Sequence, residues 1–169
     1  MRITVWLAPS TWVAGLAPLV NYPDAELTLM CVVDAGVDAA VRGGHTGLLG
    51  RGKWGGRPTE STNLVQAAAA TELLDEAEMR IGRATTRRIL TSDHPEREVV
   101  AACADTDLLI LARDGDKHRL GPRSLGRATR FVLDHAPCQI LLLWPESAPS
   151  VATIPPLPTS GRPRKKPHD

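Results

Sequence analysis

The sequence predicts an α/β fold, a doubly wound parallel sheet of five strands with helices on both of its faces. Short runs rich in Val, Ile and Leu recur along the chain: RITVWL at 2–7, ELTLMCVV at 26–33, TTRRIL at 85–90, DLLILA at 107–112 and QILLLW at 139–144. Several of them are almost continuously apolar, the pattern of strands covered by helices on both sides. Helical patterns lie between them, and strand–helix alternation implies right-handed crossovers between parallel neighbours.

The helical segments differ in strength. Ser10–Tyr22 reads as a poor helix, because Gly15 and Pro18 interrupt it. The best pattern spans 61–81, with apolar or small side chains at Leu64, Ala67, Ala68, Leu74, Ala77 and Ile81, a cap at Thr59 and Glu60, and a stop at Gly82. A third begins at Pro95, with Glu96 and Glu98 in its first turn and Val99, Val100 and Cys103 behind them. The last runs from about Ser124, read as its cap, to Asp134, with Leu125, Ala128, Phe131 and Val132 on one side.

Composition bounds the organisation. With 169 residues, 43% hydrophobic and 23% charged, the chain suits one well-buried core, expected over 1–146. Residues 42–57 are too rich in Gly for regular structure and read as a flexible loop. Residues 147–169, dense in Pro and basic near the end, read as a disordered tail. A net charge of +1 supplies no field for nucleic acid, and the short RPRKK run is most simply solubilising. No apolar stretch reaches the roughly 18 residues of a membrane span. Cys31, Cys103 and Cys138, odd in number and set in apolar runs, read as buried free thiols of a reducing compartment, so a cytoplasmic location is expected.

Ligands on a doubly wound sheet bind at the carboxyl ends of strands where the strand order reverses. That directs attention to Leu7–Thr11, Val33–Asp34 and Ala112–Gly126. The run Gly47–Lys53 has most of a phosphate-loop pattern, but Trp54 stands where a Ser or Thr would bind magnesium, and no helix opens at Lys53. It reads as part of the Gly-rich loop. The stretch Ala112-Arg113-Asp114-Gly115, ten further residues, then Gly126-Arg127-Ala128-Thr129, is different. A small-residue turn at a strand end followed by a Gly at a helix mouth lets backbone amides approach a phosphate chain.

This segment, with His135-Ala136-Pro137-Cys138 ahead of the last strand, resembles the C-terminal half of universal stress proteins. In that family the fourth strand is followed by Gly, two residues, Gly, nine residues, then Gly-Ser or Gly-Thr, and a His-Ala-Pro-Cys run precedes the fifth. The resemblance covers about residues 1–145, weakly in the first half and specifically in the last forty residues or so. It implies a flavodoxin-like strand order 3-2-1-4-5, a homodimer through residues 139–144 and, in one branch of the family, an ATP or AMP site. Carried onto this chain, the site comprises Ala8, Val33, Ala112, Arg113, Gly115, Gly126, Arg127, Ala128 and Thr129. The motif is degenerate. Ala112 replaces the first Gly, Arg127 replaces a hydroxyl that would meet phosphate, and Ala8-Pro9 replaces an Asp at the end of the first strand.

No enzyme activity is expected. The Ser-Gly-Gly and His-x-x-His signatures of related pyrophosphatase and synthetase folds are missing from APSTW. His45, His94, His118, His135 and His168 are scattered without an i, i+4 partner, so no metal site is expected. Ser10 and Ser124 lack a nucleophile elbow, and Cys138 enters an apolar strand. Two functions therefore follow from the resemblance: a regulatory module binding an adenine nucleotide, or an interaction protein acting through its dimer with the pocket closed.

Overall fold

In the computed structural model, which describes residues 1–34 and 59–156, strand β1 (Arg2–Leu7) lies at the centre of a five-stranded parallel sheet. Strands β2 (Glu26–Asp34) and β3 (Thr86–Ser92) extend it on one side, β4 (Leu108–Ala112) and β5 (Gln139–Leu143) on the other. The order is β3-β2-β1-β4-β5, as expected, with every pairing parallel. The described helices are α1 (Trp12–Leu16), α2 (Thr59–Ile81), α3 (Pro95–Ala102) and α4 (Arg127–His135), with 3-10 turns at Ala17–Asn21, Pro122–Ser124 and Val151–Thr153. The loop expected over 42–57, including Gly47–Lys53, lies outside the described residues, as does the tail from 157 onward.

Strand alternation sorts the side chains into two cores. Ile3, Val5 and Leu7 of β1 point to one face with Leu27, Leu29, Cys31, Val33, Leu108 and Ile110, where Leu16, Leu19, Ala70, Leu74 and Ala77 cover them. Met30, Leu109 and Leu111 point to the other face, beneath Val99, Cys103 and Val132. Because β1, β2 and β4 are buried on both sides, their sequences read as continuous apolar runs. Cys31 and Cys103 are buried free thiols, whereas Cys138 is only partly buried.

Three local readings need correction. Helix α2 ends where expected, with Gly82 at φ 69° as its left-handed stop, but Leu64 and Ala68 are exposed. At 23 residues α2 is about 34 Å long, whereas β1 is about 20 Å, so the first turns of α2 outrun the sheet that would cover Leu64. Ser10–Tyr22 divides at Ala17 into α1 and a 3-10 turn, with Pro18 at the start of the turn. Ser124 does not cap α4: it belongs to the preceding 3-10 turn, and the cap position falls to Gly126. Of the tail expected from 147, the described part holds the Val151–Thr153 turn, with Ser150 Oγ accepting from the Ala152 N–H.

Candidate functional site

The strand order reverses between β1 and β4, so the crevice between their carboxyl ends is the natural ligand position. Ala8 follows β1, and its carbonyl accepts from the amides of Thr11 and Trp12, both at 3.0 Å, which turns the chain into α1. Ala112 closes β4 as a buried residue paired with Leu143 of β5. Val33 is buried near the end of β2, in the core on the α1 and α2 side.

The loop from Arg113 to Gly126 folds back on itself. The Gly115 N–H donates to the Ser124 carbonyl at 3.1 Å, and the Asp116 N–H to the Arg123 carbonyl at 2.8 Å. The two arms lie so close that a Cβ on Gly115 would stand 2.6 Å from the Ser124 carbonyl carbon and 2.8 Å from the Leu125 nitrogen. Glycine is required at 115 for that approach. Ser124, wholly buried, donates its hydroxyl to the Gly121 carbonyl at 2.7 Å and accepts from the Arg113 guanidinium.

Arg113 is thereby held by its guanidinium beside Ser124. Its guanidinium carbon lies 4.5 Å from the Trp144 ring centroid, and its amide donates to the Leu143 carbonyl at 2.8 Å. The chain after Trp144 adds further ties to the same loop: Lys117 pairs with Glu146 at 3.5 Å, and the Leu120 N–H donates to Thr153 Oγ1 at 3.1 Å.

At the mouth of α4, Gly126 adopts an extended conformation as the cap residue. The amides of the first helical turn have no acceptor within the helix and form a partial positive charge. Thr129 is buried below this turn, Ala128 is half-buried, and Arg127 is exposed. The Arg127 side chain lines an open groove of about 1150 Å³ between α3 and α4, together with His94, Arg97, Arg130, Phe131 and His135. There Arg97 lies over Phe131, and Phe131 stacks on His135 with centroids 4.0 Å apart. The fold thus assembles Ala112, Arg113, Gly115 and Gly126 around one loop, while the Arg127 side chain and Val33 face other surroundings.

Sequence reasoning missed the residue that bears most directly on this mouth. Asp114 reaches across the loop, and its Oδ1 accepts the Gly126 N–H at 2.6 Å. Its signal was legible as the single acidic side chain between the strand end and Gly115, but only the loop's closure brings it to Gly126. Trp144, read simply as the end of an apolar strand, was missed as well. Among the described residues no three His, Cys, Asp or Glu side chains converge to hold a metal ion, and no helix is long and apolar enough to cross a membrane.

Solved structures that superpose on the whole sheet decide the fold. A universal stress protein UspA from Lactobacillus plantarum superposes with a TM-score of 0.62, at 19% identity, over 85% of this chain and 97% of its own. The fold is that of the universal stress proteins. A member of the same family from Burkholderia pseudomallei gives a TM-score of 0.56 at 18% identity, over 84% of this chain and 94% of its own. A universal stress protein family protein from Arabidopsis thaliana, described with AMP bound, gives 0.52 at 16% identity, over 92% and 95%. No protein-family model and no curated protein sequence matches the chain. At these identities the likeness to universal stress proteins establishes the architecture.

Proposed function

We propose that this chain is a regulatory binding module of the universal stress protein kind, which takes up an adenine nucleotide at the carboxyl edge between β1 and β4 and performs no chemistry on it. The observation that carries this reading is the loop Ala112–Gly126. It closes at Gly115 by a backbone contact that no side chain permits and delivers Gly126 to the mouth of α4 at the reversal of strand order. The AMP described in the Arabidopsis relative supports adenine as the base.

The contribution of the chain is positional. Backbone amides at α4 offer donors to a ligand's polar groups, and the turn after Ala8 borders the crevice on its β1 side. Binding without turnover is the activity proposed for this edge. Calorimetric titration of AMP and ATP into the full chain, followed by an assay for released phosphate, tests both halves. Saturable binding with no sustained phosphate release is the expected result. Hydrolysis that a substitution at the crevice abolishes would overturn it.

The second reading, an interaction protein with a closed pocket, draws on the Asp114 carboxylate already lying on the Gly126 amide. In that case neither nucleotide binds, and the chain acts through its surface and self-association.

A further inference from the structure

We infer that Asp114 is a resident anion of the crevice and sets its ligand class: a nucleoside, or another ligand that brings an uncharged or hydrogen-donating group to α4, in preference to a polyphosphate. This inference rests on the crevice being the ligand site proposed above.

The position of Asp114 is built by the loop. The bonds from Gly115 to Ser124 and from Asp116 to Arg123 lock the two arms in register, which leaves Asp114 facing Gly126 across the gap. The carboxylate then takes the Gly126 N–H at 2.6 Å. A Cβ on Gly126 would stand 2.8 Å from Asp114 Cγ, so the glycine is what makes room for the carboxylate. A helix mouth attracts an anion through its unpaired amides and dipole. In this chain a side chain supplies that anion at the N-terminal end of α4.

None of the cations nearby among the described residues is placed on Asp114, although each keeps its charge. Arg113 is committed to Ser124 and the Trp144 ring, Arg130 donates to the Pro122 carbonyl, and Arg127 lines the groove between α3 and α4. A phosphate arriving at the first turn of α4 meets the like charge of Asp114 at short range, and the penalty grows with each added phosphate. An adenosine hydroxyl meets the same carboxylate as a hydrogen-bond acceptor. The degeneracies at Ala112 and Arg127 fit a crevice that holds an adenine ligand more by its nucleoside part than by its phosphates.

The test titrates adenosine, AMP and ATP into the full chain and into D114N, which keeps the shape of the side chain and removes its charge. In the parent, adenosine binds at least as tightly as ATP. In D114N, affinity for ATP rises about tenfold, while adenosine changes by less than about twofold. ATP binding the parent more tightly than adenosine, with D114N unchanged, overturns the inference. If no adenine ligand binds either protein, the proposed function fails, and Asp114 is then read separately with inorganic pyrophosphate. The amide resonances of Gly126 and Arg127 should move with pyrophosphate in D114N and stay fixed in the parent. An equal response in both proteins, or none in either, overturns the inference on its own terms.

Discussion

The guanidinium of Arg113 lies over the indole of Trp144, 4.5 Å from guanidinium carbon to ring centroid, and joins the first residue after β4 to the first residue after β5. The two strands are hydrogen-bonded neighbours up to Ala112 and Leu143, so this contact prolongs their pairing into the loop that forms the crevice. A cation over a half-buried ring contributes about 0.5–2 kcal/mol. Trp144→Ala is expected to lower stability by about 1–2 kcal/mol and to free the 113–126 loop. Thermal melting measures the first effect, and faster proteolytic cleavage within 117–121 measures the second. Unchanged cleavage would show that the backbone bonds alone hold the loop.

Two glycines of this loop predict opposite outcomes. At Gly115 a Cβ meets the backbone of Arg123–Leu125, which cannot retreat without breaking both cross-loop bonds. Gly115→Ala is expected to destabilise the protein by about 2–4 kcal/mol. At Gly126 the obstacle is the end of the Asp114 side chain, which can rotate away. Gly126→Ala is expected to cost about 1 kcal/mol or less and to release the Asp114 carboxylate from α4. Urea denaturation of the two variants side by side checks the contrast.

The acid response of stability is expected to report Glu78. Its carboxyl is lowered from an ordinary 4.5 to about 2, first by the hydrogen bond from Arg87 and then by that from Thr85. A carboxylate depressed in the folded state stabilises above its unfolded value, and that stabilisation is lost as pH falls from about 4.5 toward 2. The ion pair of Glu78 with Arg87, which also pairs with Asp75, ties the last turns of α2 to edge strand β3. Glu78→Gln should therefore flatten the fall of melting temperature across this acid window while leaving the slope above pH 5 unchanged. Melting curves at intervals between pH 2 and 7 provide the measurement.

The architecture was legible because its cause is local and repetitive. Buried parallel strands must be apolar on both faces, so RITVWL and DLLILA announce themselves, and β1 begins and ends where its run does. The loop at the carboxyl edge was legible only where backbone geometry demands a residue type, as at Gly115. The helix start was misread at Ser124 because a hydroxyl ahead of an apolar pattern ordinarily caps its own helix. Here it serves the preceding turn, and the anion at the mouth of α4 comes from Asp114, twelve residues upstream of Gly126. Trp144 was hidden for a similar reason. A Trp closing an apolar strand looks like core, and only the turn of Arg113 back over β5 reveals the contact.

Self-association is expected through β5. Its one partner among the described strands is β4, so among the described residues no strand pairs with the opposite edge, and Ile140, Leu141, Leu142 and Leu143 are all only partly buried. An apolar edge strand in this state invites pairing with a second copy. The rival is an edge covered by the chain that follows. The described part of that chain turns instead to the crevice loop, where Glu146 meets Lys117 and Thr153 meets Leu120. This favours pairing between copies. Sedimentation across the micromolar range should show a dimer, and Leu142→Lys, which places a charge in the seam, should shift the equilibrium to monomer. A monomer at every concentration would reject β5 as the interface. A dimer that persists in the folded Leu142→Lys variant would place the contact on another face of the sheet.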